Sequence, residues 1–116
     1  SLEEVERCLL DLEHLAVIMY SSAFALGVDF HIAEGDRLLA AKDLTAARQY
    51  FQQAQAQGHA KAMTALGVTY DPQELVRLGI PESESDSSLA RHWYLRGVAA
   101  GDLDAVKRLQ ALTPGQ

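Results

Sequence analysis

The chain has 116 residues, the size of a single domain, and 48% of them are hydrophobic and 22% charged, as in ordinary soluble globular proteins. Its net charge is −6 at pH 7. Because an acidic surface repels phosphate backbones and anionic lipid, neither nucleic acid nor a membrane surface is an expected partner. The single cysteine, Cys8, excludes an internal disulfide, and the compartment stays open between cytoplasm and periplasm.

An N-terminal unit is predicted over residues 2–28. Apolar residues recur there at steps of three and four, which predicts one long helix that ends at Gly27 as a C-terminal cap. The uncharged run at residues 15–28 has 14 residues, fewer than the ~20 that a membrane span requires. We therefore expect a buried helix, with neither membrane insertion nor a signal peptide. The abrupt start at Ser1 predicts a fragment of a longer protein.

Helix start and stop signals divide the next part of the chain. Asp29 and Asp43 are predicted N-caps, Gly58 is a predicted C-terminal cap, and the Asp71-Pro72 step stops a helix because the residue before proline avoids the α region. These signals predict helices at residues 29–42, 44–57 and 59–70.

Residues 71–85 interrupt the helical pattern. Pro72 favours the start of a short helix that Gly79 and Pro81 end. The acidic and small residues that follow, ESESDSS, predict a solvated and mobile loop. Ser87 or Asp86 then caps a further helix, and the last two helices are predicted at residues 88–100 and 102–112.

A repeat organises the second half of the chain. Residues 43–66 and 86–109 align over 24 residues without a gap, and seven positions are identical. The aromatic pair Tyr50-Phe51 is matched by Trp93-Tyr94. A repeat of this length predicts an all-α fold, a short α-solenoid of about six helices in antiparallel pairs with the long N-terminal helix as a cap. The identical positions are Asp43/Asp86, Ala47/Ala90, Arg48/Arg91, Ala56/Ala99, Gly58/Gly101, Ala62/Ala105 and Leu66/Leu109.

The repeat resembles the tetratricopeptide superfamily, and more closely its Sel-one-like branch. The first unit matches the tetratricopeptide spacing at Gly35, Leu38, Ala47, Phe51 and Ala54, but departs from it at His31 and Glu34. The Sel-one-like pattern is matched at Ala62, Leu66, Gly67, Tyr70, Asp86, Ala90, Trp93, Tyr94, Ala99 (or Ala100) and Gly101. Gly97 replaces the usual alanine, and the connection between Tyr70 and Asp86 is longer than in the family. The resemblance covers about residues 30–112, with a first repeat unit at 30–70, an insertion at 71–85 and a last helix pair at 86–112. The first helix, at 2–28, lies outside it, and the whole chain, residues 1–116, is predicted to be one domain.

No motif in the sequence predicts catalysis, a cofactor or a metal. There is no nucleophile elbow, phosphate loop or HExxH helix. The four histidines are not spaced as ligands with one another or with Cys8. Glu82, Glu84 and Asp86 form a cluster that is expected to be a solvated loop. We therefore expect a protein that is not an enzyme.

The resemblance implies that a ligand lies in the groove lined by the first helix of each pair. The predicted partner-binding residues are the outward positions of those helices: Ile32, Asp36, Leu39, Lys61, Thr64 and Val68. Their apolar members would form a strip suited to a peptide or a partner helix. Alternatively, the first helix or a neighbouring repeat covers this strip.

The expected function is protein–protein interaction, as a scaffold or adaptor domain within a larger bacterial protein, with a protein or peptide as partner. Two alternatives remain open. One is a homo-oligomerisation domain that pairs through its apolar N-terminal helix. The other is an accessory domain of a cell-envelope enzyme or of a secretion component.

Overall fold

The structure, a computed structural model, describes residues 3–4, 27 and 29–112, and within these residues the fold is all-α without a β-strand. We name the helical residues 29–40 α1. The later helices are α2 (Leu44–Ala56), α3 (Ala60–Tyr70), α4 (Pro72–Leu78), α5 (Ser87–Ala99) and α6 (Leu103–Ala111), with a 3-10 turn at Glu82–Glu84. The predicted helix over residues 2–26 lies outside the described residues, except for residues 3–4, which are helical.

Local capping chemistry sets most of the helix boundaries. The Asp43 and Asp86 carboxylates accept hydrogen bonds from the backbone N–H groups of Ala46 (3.3 Å) and Leu89 (3.1 Å), as predicted for N-caps. Three of the predicted terminators, Gly58, Gly79 and Gly101, adopt the left-handed conformation that ends a helix.

Other boundary predictions are wrong. Gly27 is itself helical rather than a left-handed cap, and Asp29 is a helical residue, the first of α1, rather than an N-cap. The helix predicted to reach residue 42 ends two residues earlier, because Lys42 takes the left-handed conformation (φ 66°). Its N–H donates to the Leu39 carbonyl (3.0 Å) and the next N–H donates to Leu38 (2.9 Å), which closes the helix end despite the absence of a glycine.

The helices pack in succession as antiparallel pairs. α2 packs on α3, α3 on α5 and α5 on α6. Short turns reverse the chain between α1 and α2, between α2 and α3 and between α5 and α6. The Asp86 N–H donates to the Tyr70 carbonyl, so α5 begins where α3 ends. Therefore α1, α3 and α6 run in one direction and α2 and α5 in the other. The fully buried aromatic side chains Phe51 and Tyr94 lie at the centre of one hydrophobic core.

Two glycines allow the helices to approach one another. A Cβ at Gly35 of α1 would overlap the ring of Phe51 in α2, and a Cβ at Gly67 of α3 would overlap the ring of Tyr94 in α5. The close approach that the mid-helix position of Gly35 predicts is thus confirmed. The same contact, a glycine of one helix against an aromatic ring of the next, occurs in both halves of the fold.

The inserted segment is folded onto the core rather than looped into solvent. Leu75 of α4 is fully buried, and Ile80 belongs to the same core cluster. The Asp86 N–H donates to the Tyr70 carbonyl (2.8 Å), so the two ends of the segment meet. The expected solvent exposure of ESESDSS is confirmed at Glu82–Glu84, although these residues form a 3-10 turn and the buried Ser87 begins α5.

Candidate functional site

A groove with a volume of about 340 Å³ opens between α1, α3, α4 and α6. All six residues predicted from the sequence as partner-binding line it: Ile32, Asp36, Leu39, Lys61, Thr64 and Val68. Their role in binding stays a prediction, but the structure brings them together on one surface. Six further residues also line the groove: Ala65, Arg77, Leu78, Asp102, Asp104 and Arg108.

Five of these six residues come from two elements that the prediction left out of the groove, and the sixth, Ala65, lies on α3. Arg77 and Leu78 belong to α4, whose docking position depends on tertiary contacts and cannot be read from local sequence. Asp104 and Arg108 belong to α6, and the sequence repeat could have predicted their place in the groove. They are the repeat equivalents of Lys61 and Ala65, so extending the repeat register by one helix would have found them.

The apolar strip expected in this groove is mostly covered. Leu39 and Val68 are only 9% and 8% exposed, and both belong to the core cluster that contains Leu75 of α4 and against which Leu78 packs. Ile32 is half-buried against Ala54 and Ala62. Side chains of the insertion share the cluster with Leu39 and Val68. Part of the apolar strip is therefore covered by α4, although the first helix or a neighbouring repeat was expected to cover it.

Ion pairs tie the α4 wall of the groove to α6. Glu74 of α4 accepts from Arg77 (2.5 Å) and also lies 3.4 Å from Arg108 of α6. Arg108 in turn pairs with Asp104 on its own helix (2.8 Å). Burial would lower the pKa of Arg108, but the carboxylates of Asp104 and Glu74 raise it above its ordinary value. The two arginines of the groove are therefore already neutralised within the fold.

Asp36 and Lys61 differ from the other charged residues of the groove. Neither makes an ion pair or a side-chain hydrogen bond with the residues that the structure describes. Partial burial raises the pKa of the Asp36 carboxyl group, as expected when a carboxylate loses water without gaining a counter-ion. Asp102, the remaining acidic lining residue, accepts the Asp104 N–H (3.2 Å) as the N-cap of α6. Within the described part of the chain, Asp36 and Lys61 are thus unpaired.

Two buried polar contacts hold the insertion beside the groove. The buried carboxylate of Asp71, the N-cap of α4, accepts from the Tyr94 hydroxyl (2.7 Å) and from the Gln73 N–H (3.0 Å). Burial and this hydrogen bond raise the pKa of Tyr94 far above its ordinary value.

Arg48 of α2 fixes the other end of the insertion. It donates to the carbonyls of Thr69 (2.6 Å) and Glu84 (2.9 Å), and its guanidinium lies 3.9 Å from the centre of the Tyr70 ring. The α4 wall is therefore attached to the fold at both ends.

Over the described residues, no three His, Cys, Asp or Glu side chains are grouped as metal ligands. The same part of the chain holds no helix with the length and apolar character needed to cross a membrane. Comparisons with protein-family models, with curated proteins and with solved structures found no match to this chain.

Proposed function

We propose that this chain is a tetratricopeptide-like helical-repeat domain, close to the Sel-one-like branch, that binds a peptide or helical segment of a partner protein in the groove. The observation that carries the proposal is the groove itself. Three helices that run in the same direction, α1, α3 and α6, each contribute side chains to one concavity. Extended concave surfaces of this kind are what stacked helical repeats use for binding.

The repeated glycine–aromatic contact supports the assignment to a repeat family. Gly35 lies against Phe51 and Gly67 against Tyr94, so successive helix pairs are built with the same close approach. A fold made of equivalent units places equivalent positions at regular intervals along one surface. That regularity is suited to the recognition of an extended or helical segment.

The size and chemistry of the groove favour binding over catalysis. Its volume of about 340 Å³ is at the lower end of the ~300–1,000 Å³ of ligand pockets, enough for several side chains but not for a folded domain. Arg77, Arg108 and Asp104 are held in ion pairs and Asp102 caps a helix, so these groups would support the walls rather than perform chemistry. We accordingly propose a scaffold or adaptor role and no enzymatic one.

The proposal is tested by panning a displayed library of random 12-residue peptides against the domain and measuring the affinity of selected peptides by fluorescence anisotropy. Ala65→Gln places a longer neutral side chain in the groove. Ala33→Gln makes the same change at an exposed position of α1 outside the groove.

We expect Ala65→Gln to weaken binding at least tenfold and Ala33→Gln to change it less than twofold. Thermal unfolding of both variants checks that they fold. If selected peptides bind the folded Ala65→Gln variant normally, or if no peptide is selected, the groove is not the binding site.

A further inference from the structure

Asp36 and Lys61, the charged lining residues without an ion pair among the described residues, lie at two different heights along the helix axes, which we call levels of the groove. Because Gly35 and Gly67 make equivalent contacts with the following helix, the next residues, Asp36 of α1 and Val68 of α3, lie at the same level. Lys61 lies seven residues before Val68, about 10 Å away along the helix axis. Asp36 and Lys61 therefore lie at separate levels of the groove, and Ile32, which packs against Ala62, lies between these levels.

Asp36 offers a cationic ligand group a partner within the groove. Asp36 has no partner among the described residues, and its carboxylate has already lost part of its hydration. Leu78 of α4 and Ile32, one turn before Asp36 on α1, line the same groove. A cation that pairs with Asp36 is therefore beside apolar surface, where water competes less strongly for it than at an open surface. Asp36 and Lys61 are both exposed, so the overall charge of the chain decides which of them a partner pairs with.

The overall charge of the chain favours the same ligand. A net charge of −6 attracts cationic segments over distances of about 8–10 Å in physiological salt and raises their rate of association. An acidic segment would be repelled by the whole surface before it could reach Lys61. Long-range and local electrostatics therefore agree on the sign of the partner.

We propose that the groove selects partner segments that present a lysine or arginine together with aliphatic side chains on one face, with the cation paired to Asp36 and the aliphatic groups against Ile32 and Leu78. This inference rests on the proposed function, since it names the chemistry of the segment that the groove takes. It makes Asp36 the residue that determines specificity.

Sequencing of the peptides from the display experiment is the first test, and we expect lysine or arginine to be enriched beside leucine, isoleucine or valine. The second test uses one selected lysine-containing peptide and its Lys→Glu counterpart as fluorescent probes. Asp36→Asn should weaken binding of the lysine peptide roughly 10–150-fold, as expected for a hydrogen bond to a charged group. Glu82→Gln removes the same charge from the exposed 3-10 turn and should change binding less than twofold.

Charge reversal provides the sharper comparison. Asp36→Lys should bind the Lys→Glu peptide more tightly than the lysine peptide, whereas Lys61→Gln should leave the lysine peptide bound as well as before or better. Thermal unfolding of each variant confirms that it is folded.

The outcomes separate the two proposals. If selected peptides lose binding to Ala65→Gln but not to Asp36→Asn, the choice of a cation at Asp36 is wrong and the groove remains the binding site. Selection of acidic peptides that depend on Lys61 would overturn the inference in the same way. If binding does not depend on Ala65, both proposals fail.

Discussion

Replacement of Gly35 by alanine tests the close approach of α1 and α2. In an open helix this change stabilises, because alanine is about 1 kcal/mol more favourable than glycine in a helix interior. Here the new Cβ would lie 2.7 Å from Cδ1 and 2.8 Å from Cζ of Phe51, well inside the normal carbon–carbon contact of about 3.5–4.0 Å. The Phe51 ring is fully buried and has no open space into which it can move.

The magnitude follows from the two opposing effects. Overpacking a buried contact by one methyl group costs about 1–3 kcal/mol or more, and the helix propensity of alanine offsets about 1 kcal/mol of this. Because the overlap involves three ring carbons, we expect the upper part of the range to apply. Gly35→Ala should lower the free energy of unfolding by about 1–2 kcal/mol, or the melting temperature by about 4–8 °C per kcal/mol.

Urea and thermal unfolding of a short series give the assay. Gly27→Ala is the matched control, because Gly27 is helical but has no atom within 4 Å of an added Cβ; this variant should be unchanged or slightly more stable. Phe51→Leu destabilises by itself, but it removes the overlapping ring carbons. In the double variant, therefore, Gly35→Ala should cost less than it does alone. The packing that we describe would be refuted if Gly35→Ala were as stable as Gly27→Ala. It would also be refuted if the losses of unfolding free energy from Gly35→Ala and Phe51→Leu simply added in the double variant.

Two further predictions concern the contacts that hold the insertion. Tyr94→Phe removes the hydroxyl that donates to the buried Asp71 carboxylate and should lower the free energy of unfolding by about 1.5–3 kcal/mol. Since folding raises the pKa of Tyr94, the stabilisation from this residue is fully present below its unfolded pKa of about 10 and is lost as the pH rises beyond that value. Denaturant titrations from pH 8 to 11 should therefore show a smaller loss of stability at alkaline pH in Tyr94→Phe than in the unmodified protein. An unchanged pH profile would contradict the assignment. Arg48→Lys should lower stability by about 1–2 kcal/mol, because a lysine cannot hold two carbonyls and stack on a ring at once, and hydrogen exchange should become faster at residues 82–86. The control is Arg91→Lys, because Arg91 is the equivalent residue of the second repeat copy and makes no side-chain hydrogen bond within the described residues. Equal losses of unfolding free energy in the two variants would argue against the role of Arg48.

The insertion changes how the groove should be regarded. A repeat with a short connection after Tyr70 would leave Leu39 and Val68 as the floor of an open apolar groove. In this chain α4 packs into the core cluster of which both residues are part, and it contributes Arg77 and Leu78 to a new wall. The accessible part of the groove is consequently smaller and more polar than the repeat alone would imply. This is why charge, rather than apolar area, is expected to determine the choice of partner.

The structure also limits which variants can report on binding. Leu39 looks like a surface residue in the repeat register, and a charged substitution there would appear to be a natural probe of the groove. At 9% exposure within the core cluster, Leu39→Glu would bury a charge and reduce stability by several kcal/mol, of the order seen for other core disruptions. Asp36 is a better probe because it is exposed, whereas Ala65 is half-buried against the core cluster, so its variant depends on the unfolding control.

Local sequence determined the fold class and most helix ends. The aspartates at positions 43 and 86 cap helices through N–H groups three residues away, and the glycines at 58, 79 and 101 end them by adopting a left-handed backbone. Both effects depend only on neighbouring residues, so they can be read directly from the chain. The repeat register likewise selected six residues that line one groove.

Tertiary structure alone decided which of those six residues remain accessible and which charges remain free. The burial of Leu39 and Val68, and the pairing of Glu74 with Arg108, depend on where the insertion docks. The left-handed turn at Lys42 likewise could not be predicted from the sequence, because no glycine occupies that position. These features arise from contacts between segments far apart in the chain, whose energies depend on distance and on exclusion of water. No local pattern encodes them, which is why the free charge of Asp36 became visible only in the folded protein.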